Sequence, residues 1–143
     1  MQCETVAFTS PWILQIYKLR QDVLRSPLGL NLFDEDLLSE KNEVFCIAHE
    51  NDTLLSCLQL RKLDEERLKL RQMATHQGKQ AKGYGKKLVE YAEQWGLENG
   101  FVSIELHARK VAQGFYEKLG YSKVGAEFIE VEIAHCKMIK KLS

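Results

Sequence analysis

The sequence predicts one domain of mixed α/β class built on a single mixed sheet. Three observations lead there. Strand-like and helical segments alternate from residue 67 onward, which requires at least one βαβ crossover and therefore a parallel pair. Strand-like runs separated by turn residues precede it, which makes an antiparallel meander. The 143 residues contain two prolines, Pro11 and Pro27, no internal repeat and no linker-like stretch, so a single domain over 1–143 is expected.

The elements follow in order. Residues 2–8 read as a short edge strand. Ser10-Pro11 has the form of a helix start, with Ser10 as N-cap and Pro11 at the first helical position. Trp12, Ile16, Leu19 and Val23 then recur at helical spacing until Ser26-Pro27-Leu28-Gly29 breaks the helix. Residues 31–42 read as a loop or short helix. Residues 44–49 and 54–62 are strands around the turn signal Glu50-Asn51-Asp52, and residues 67–75 form another after the charged turn Asp64-Glu65-Glu66. In that strand Leu68, Leu70, Gln72 and Ala74 fall on one face. Residues 83–98 are the plainest helix, with Leu88, Tyr91, Ala92 and Trp95 as its apolar stripe and Asn99-Gly100 as its stop. Residues 101–107 alternate as a strand, and residues 110–119 form a second helix ended by Gly120. Residues 121–125 and 135–140 are the last strands, with 126–134 as a loop.

Composition narrows the function. Twenty Lys+Arg balance twenty Asp+Glu, so no global field draws the protein to nucleic acid or an anionic membrane, and neither is expected as a partner. Cys3, Cys46, Cys57 and Cys136 show no CxxC and no zinc spacing, so no metal is expected and the thiols read as reduced. The chain has no signal-type start, and no apolar run approaches bilayer length, which makes the cytoplasm the expected location.

One segment carries chemistry. Residues 73–87 run from a strand into a helix through Gly78, Gly83 and Gly85. Glycines permit sharp turns and close approach to a ligand. The first turn of the helix offers free N–H groups and the positive end of its dipole, an anion site suited to a pyrophosphate. Lys79, Lys82, Lys86 and Lys87 concentrate positive charge there in an otherwise neutral chain. The loop lacks the Gly-Lys-Ser/Thr of a Walker loop and the third glycine of a dinucleotide fingerprint. An unrelated nucleotide or phosphate binder would also satisfy it.

Gln80-x-x-Gly83-x-Gly85 resembles the (Gln/Arg)-x-x-Gly-x-(Gly/Ala) signature of the GNAT superfamily of N-acetyltransferases. Ala108-Arg109-x-x-Ala112-x-x-Phe115-Tyr116-x-x-x-Gly120-Tyr121 resembles the late motif of one GNAT subgroup, and Phe128, His135 and Met138 give a weaker echo. The likeness covers residues 40 to 141 well and the first 40 in outline. It implies the GNAT-type fold, a twisted mixed sheet with helices on both faces. It implies acetyl-CoA as co-substrate and a primary amine of a small molecule or peptide as acceptor, with homodimers common in the family. By the same likeness, Met73, Ala74 and Thr75 hold the pantetheine and thioester carbonyl. The loop from Ala81 through Lys82, Gly83, Tyr84 and Gly85 to Lys86 holds the pyrophosphate, Gln80 supports the turn, and Tyr116 stands near the sulfur as catalytic acid. Many members carry asparagine where this chain has Arg109. A CoA-binding module without catalysis is the alternative.

Acetyl transfer needs a neutral amine, a donor aimed at the thioester oxygen and a proton for the thiolate. The base is not singled out: Glu105 and His107 share a strand face, Glu130, Glu132 and His135 cluster before the last strand, and His76 ends the cofactor strand. Asp34, Glu35, Asp36, Glu40 and Glu43 make the early segment acidic, which favours a cationic acceptor.

Overall fold

The computed structural model describes residues 1–142, and of residues 79–81 the backbone alone. Seven strands form one mixed sheet in the order β1-β2-β3-β4-β5-β7-β6, flanked by helices, which is the α/β class expected. The chain divides into two compact units, Met1–Arg61 with Gln72–Ala92, and Lys62–Arg71 with Glu93–Ser143. No helix among the described residues is long and apolar enough to cross a membrane.

The first unit opens with β1 (Gln2–Val6), paired antiparallel with β2 (Val44–Glu50), which pairs antiparallel with β3 (Thr53–Lys62). Asn51 and Asp52 turn the β2–β3 hairpin at φ 51° and 61°, the left-handed pair that Asn and Asp tolerate. Helix α1 (Trp12–Arg20) starts as its sequence predicts: the Trp12 amide donates to Ser10 Oγ at 3.1 Å. Its continuation widens into a π turn over Gln21–Arg25, and a 3₁₀ turn over Ser26–Leu28 stops at Gly29 with φ 70°. Two more 3₁₀ turns, Leu32–Asp34 and Leu37–Glu40, occupy the segment read as loop or short helix. Ile13, Ile16 and Leu19 of α1 pack with Leu32, Phe45, Ile47, Cys57 and Ala74 in the core.

Strand β4 (Arg67–Thr75) has the expected bounds. Within it Gln72 lies at φ 53°. Leu68, Leu70 and Ala74, three of the four residues placed on one face, are buried, and Gln72 between them is half-buried. Helix α2 (Tyr84–Glu98) follows and buries Leu88, Val89 and Ala92 completely.

In the second unit the start of β4 pairs in parallel with β5 (Ser103–Arg109), Arg67 opposite Ser103 and Lys69 opposite Glu105. This is the predicted βαβ crossover. Within α2, a Cβ on Gly96 would stand 3.0 Å from Leu142 Cδ1 and 3.2 Å from Leu68 Cδ1, so glycine there permits close packing. Helix α3 (Lys110–Lys118) leads to β6 (Ser122–Glu130) and β7 (Ile133–Lys141), with β7 between β5 and β6. The 126–134 segment is therefore hairpin rather than the expected loop. Val131 and Glu132 turn it at φ 49° and 61°. A β-branched residue in that region is unfavourable, and no Gly, Asn or Asp marks the turn. Ile104, Leu106 and Ala108 are buried on one face of β5, which leaves Glu105, His107 and Arg109 to the other.

Candidate functional site

In the first unit the site residues lie at the end of β4 and the start of α2. Gln72 holds a left-handed backbone without being glycine, at a cost of roughly 1–3 kcal/mol. Its side chain is held: Arg25 Nη2 donates to Gln72 Oε1 at 2.9 Å. The same guanidinium grips Glu35, Nε to Oε2 at 2.5 Å and Nη2 to Oε1 at 3.0 Å. A left-handed residue within a strand re-aims the peptide groups that follow it, and those belong to Met73, Ala74 and Thr75. Buried Ser56 fixes their far side: its Oγ donates to the Ala74 carbonyl at 3.1 Å and lies 2.9 Å from Thr75 Oγ1. The His76 amide then donates to Leu55 O at 2.8 Å, which ends the strand.

From there the chain makes a 3₁₀ turn over Gln77–Lys82 and enters α2 through Gly83 at φ 77°, ψ 13°. An added Cβ at Gly83 would meet nothing within 4 Å. Glycine is needed there for its left-handed backbone and not for space. The Lys87 amide is the first to close onto the helix, donating to Gly83 O at 3.1 Å. The amides of Tyr84, Gly85 and Lys86 come before it and have no acceptor within the helix. Gly85 is buried, while Lys82, Lys86 and Lys87 are exposed. No acidic residue stands in the first turn. Among the sequence-predicted residues, Gln80 and Ala81 lie in the 3₁₀ turn by backbone; their side chains, with that of Lys79, fall outside the described residues.

In the second unit Tyr116 sits on α3 with 7% of its surface exposed. Its ring meets Phe115 edge-on at 5.0 Å and Tyr121 at 5.7 Å. Burial pushes its phenol well above the ordinary range. The end of the motif is a helix stop. The Tyr121 amide donates to Tyr116 O at 3.0 Å and the Gly120 amide to Glu117 O at 3.0 Å, with Gly120 at φ 97°. That is a Schellman motif, and the Tyr116–Tyr121 ring contact is its usual apolar clasp. Tyr121 in turn donates to Glu93 Oε2 at 2.9 Å, and Lys140 Nζ donates to Glu93 Oε1 at 3.0 Å.

Arg109 is the N-cap residue of α3, and its side chain makes no capping bond. Guanidinium has no acceptor atom, so Arg109 cannot take a hydrogen bond from the first helix amides as an N-cap asparagine can.

Of the carboxylates and imidazoles considered as bases, the structure gathers three around one phenylalanine. His107 Nδ1 lies 3.1 Å from Glu130 Oε2. The His107 ring meets Phe128 edge-on at 4.9 Å, and His135 stacks on Phe128 at 6.0 Å. His135 Nδ1 lies 2.8 Å from Ile133 O. Glu105 is instead held by Arg67 at 3.4 Å and Lys137 at 3.5 Å. Glu132 is in the hairpin turn and His76 is exposed. The acidic early segment is largely neutralised. Glu35 is paired with Arg25, Glu40 with buried Arg20 at 2.8 Å, and Glu43 with Arg61 at 2.8 Å. Its composition therefore gives a cationic acceptor little support. Among the described residues no group of three or more His, Cys, Asp or Glu side chains could hold a metal ion.

Comparison with known proteins agrees with this geometry. Residues 13–121 match the model of the Acetyltransferase (GNAT) family. YyaT of Bacillus subtilis strain 168 is 33% identical over 112 residues, 78% of this chain and 74% of YyaT. A crystal structure from Lactobacillus plantarum superposes with TM-score 0.87 over 100% of both chains at 23% identity. An aminoglycoside 6'-N-acetyltransferase complexed with coenzyme A superposes with TM-score 0.84 at 17% identity, covering 100% of this chain and 98% of that one.

Proposed function

Because the chain belongs to the acetyltransferase (GNAT) family, we propose that it moves an acetyl group from acetyl-CoA to a primary amine by direct attack on the thioester. The observation that supports this most is the Gly83 entry to α2. It leaves three successive amides, Tyr84 to Lys86, at the positive end of a 15-residue helix beside exposed lysines, the environment a pyrophosphate requires. The solved neighbour that carries coenzyme A supports the same donor.

In this reading Gln80 braces the turn, and the loop from Ala81 and Lys82 onward takes the pyrophosphate. The end of β4 beyond Gln72 binds pantetheine, and a backbone amide of Met73 or Ala74 donates to the thioester oxygen as it gains charge. Tyr116 donates a hydrogen bond to the departing thiolate. The protein acts in the cytoplasm, as one domain, without metal, nucleic acid or membrane.

The test is calorimetric titration with CoA and with ATP, followed by thiol release from acetyl-CoA in the presence of polyamines, amino sugars, amino acids and peptides. Micromolar CoA binding with weak ATP binding, and thiol release with at least one amine, is the expected result. CoA binding without release on any amine would make the chain a CoA-binding module. Equal binding of ATP would make it a general phosphate binder.

A further inference from the structure

We propose that Arg25 is a positioning residue for the transfer: clamped by Glu35, it holds Gln72 in its left-handed backbone and so sets the aim of the amides at the end of β4. This rests on the acyl-transfer reading above, and every residue it uses lies in the first unit.

Gln72 needs a cause for its conformation. Its φ of 53° lies where glycine, asparagine and aspartate are at home, and a residue with a longer side chain is penalised there. Such a backbone persists only where the surroundings over-determine it. The hold comes through its own carboxamide, whose Oε1 accepts from Arg25 Nη2 at 2.9 Å.

Arg25 is itself kept in place. Its side chain is 12% exposed, unlike the solvated surface pairs that contribute little. Nε and Nη2 donate to the two oxygens of Glu35 at 2.5 and 3.0 Å, a two-pronged contact that fixes the plane of the guanidinium. Nη2 is shared between Glu35 and Gln72, so one fixed fork joins both. The backbone at each end of the clamp is tied as well. The Leu30 amide donates to Arg25 O at 3.0 Å, and the Glu35 amide to Leu32 O at 3.0 Å.

The clamp bears on the peptides that the transfer uses. The Met73 amide follows Gln72 directly, and the Ala74 carbonyl accepts from Ser56 Oγ at 3.1 Å. Arg25 and Ser56 therefore anchor the Met73–Ala74 stretch from either side. An amide that stabilises charge on the thioester oxygen must be aimed before that charge develops. The amides assigned to the pyrophosphate, Tyr84 to Lys86, lie beyond the 3₁₀ turn at the start of α2. Loss of the clamp should therefore fall on the chemical step more than on donor binding.

The experiment measures kcat with the best amine of the panel, and Kd for CoA, with and without Arg25→Ala in two backgrounds. One background keeps Gln72. The other carries Gln72→Gly, because glycine adopts a positive φ without help and should make the clamp dispensable. With Gln72 kept, Arg25→Ala should lower kcat by about 10–100-fold, since small misplacements are costly in rate. Kd for CoA should change by less than about threefold in either background, and in the Gln72→Gly background kcat should fall by less than about threefold on Arg25→Ala. If alanine at 25 prevents folding, Arg25→Lys takes its place, because an ammonium lacks the planar fork, and the same dependence on background is expected. An equal loss in both backgrounds would show that Arg25 acts through something other than Gln72, and native kcat with Gln72 kept would show that no clamp is needed. Either result overturns the assignment and leaves acetyl transfer standing. Failure of the native protein to bind CoA would instead remove the acyl-transfer reading, and the clamp's role with it.

Discussion

Replacing Gly83 by alanine isolates the backbone contribution to donor binding. Gly83 has φ 77°, ψ 13° and nothing within 4 Å of an added Cβ. Alanine therefore meets no side-chain clash; its only penalty is the left-handed backbone, about 1–2 kcal/mol. Gly29 supplies the control, with φ 70°, ψ 20° and equally empty surroundings. Gly29→Ala should lower stability by that amount, about 3–8 °C in Tm for a chain of this length, and leave CoA affinity alone. Gly83→Ala divides the same penalty between two readouts. If the loop keeps its native backbone, the whole penalty appears in stability. If it relaxes when empty, the penalty appears on binding, about 5–30-fold in Kd. The two losses should sum to about 1–2 kcal/mol in chemical denaturation and calorimetry. A sum below about 0.5 kcal/mol would show that the αL backbone at Gly83 is not needed. An equal CoA defect in Gly29→Ala would show that affinity tracks global stability and not the loop.

Four further outcomes can be checked. Arg20→Leu leaves Glu40 charged and buried in place of the two-pronged contact at 2.8 and 3.0 Å, and should cost about 3–5 kcal/mol in urea denaturation. Tyr116→Phe should lower kcat by about 10–100-fold, the value of one hydrogen bond to a charged group, with CoA affinity unchanged; a loss of about 10⁴ or none at all would contradict that role. Arg25→Ala releases both Gln72 and Glu35 and should reduce turnover more than CoA binding, as read by separate kcat and Kd measurements. Cys46 and Cys57 are pushed by burial from 9.0 to about 12, so thiol reagents should label neither in the folded protein at pH 8. Between those values the unfolded thiols ionise and the folded ones do not. The unfolded state then binds fewer protons, and stability should fall by about 1.4 kcal/mol per thiol for each pH unit above 9.

How much of this was legible depended on whether the cause was local. The β4–α2–β5 crossover could be read because its period, its glycines and its Asn99-Gly100 stop lie within their own segments. The Ser10 cap and the Gly29 break were local too, and the structure has both. Gln72 was not legible. Leu68, Leu70, Gln72 and Ala74 alternate as in any straight strand, and the contact that holds the left-handed Gln72 comes from Arg25, 47 residues away. The acidic run at 34–43 misled for the same reason. Its neutralising arginines at 20, 25 and 61 lie outside it. The β6–β7 hairpin was hidden differently, since Val131 and Glu132 occupy a turn that favours other residues. The site followed the same division. Gly83 and Gly85 announce themselves, whereas the His107–Glu130 pair exists only because β7 places β6 within reach of β5.

The late motif has two causes, and separating them sharpens the role of its tyrosine. Gly120 and Tyr121 are accounted for by the helix stop alone: one supplies the left-handed residue, and the other closes the amide bond and the ring contact. Neither needs catalysis to explain it. Tyr116 is the C3 residue of that stop, so folding accounts for an aromatic there. Burial raises the phenol further above an ordinary value of about 10, while a thiol ionises at about 8.5. Complete transfer from phenol to thiolate is therefore uphill by at least about 2 kcal/mol. A free-standing acid at Tyr116 would be a poor one. The same pKa makes it a dependable neutral donor at every physiological pH, able to stabilise charge on sulfur without losing its proton. The proton sulfur keeps must then come from the nitrogen, which turns acidic once the C–N bond forms. In the proposed reaction Tyr116 therefore serves the leaving group as a hydrogen-bond donor, and the nitrogen supplies the proton that sulfur keeps.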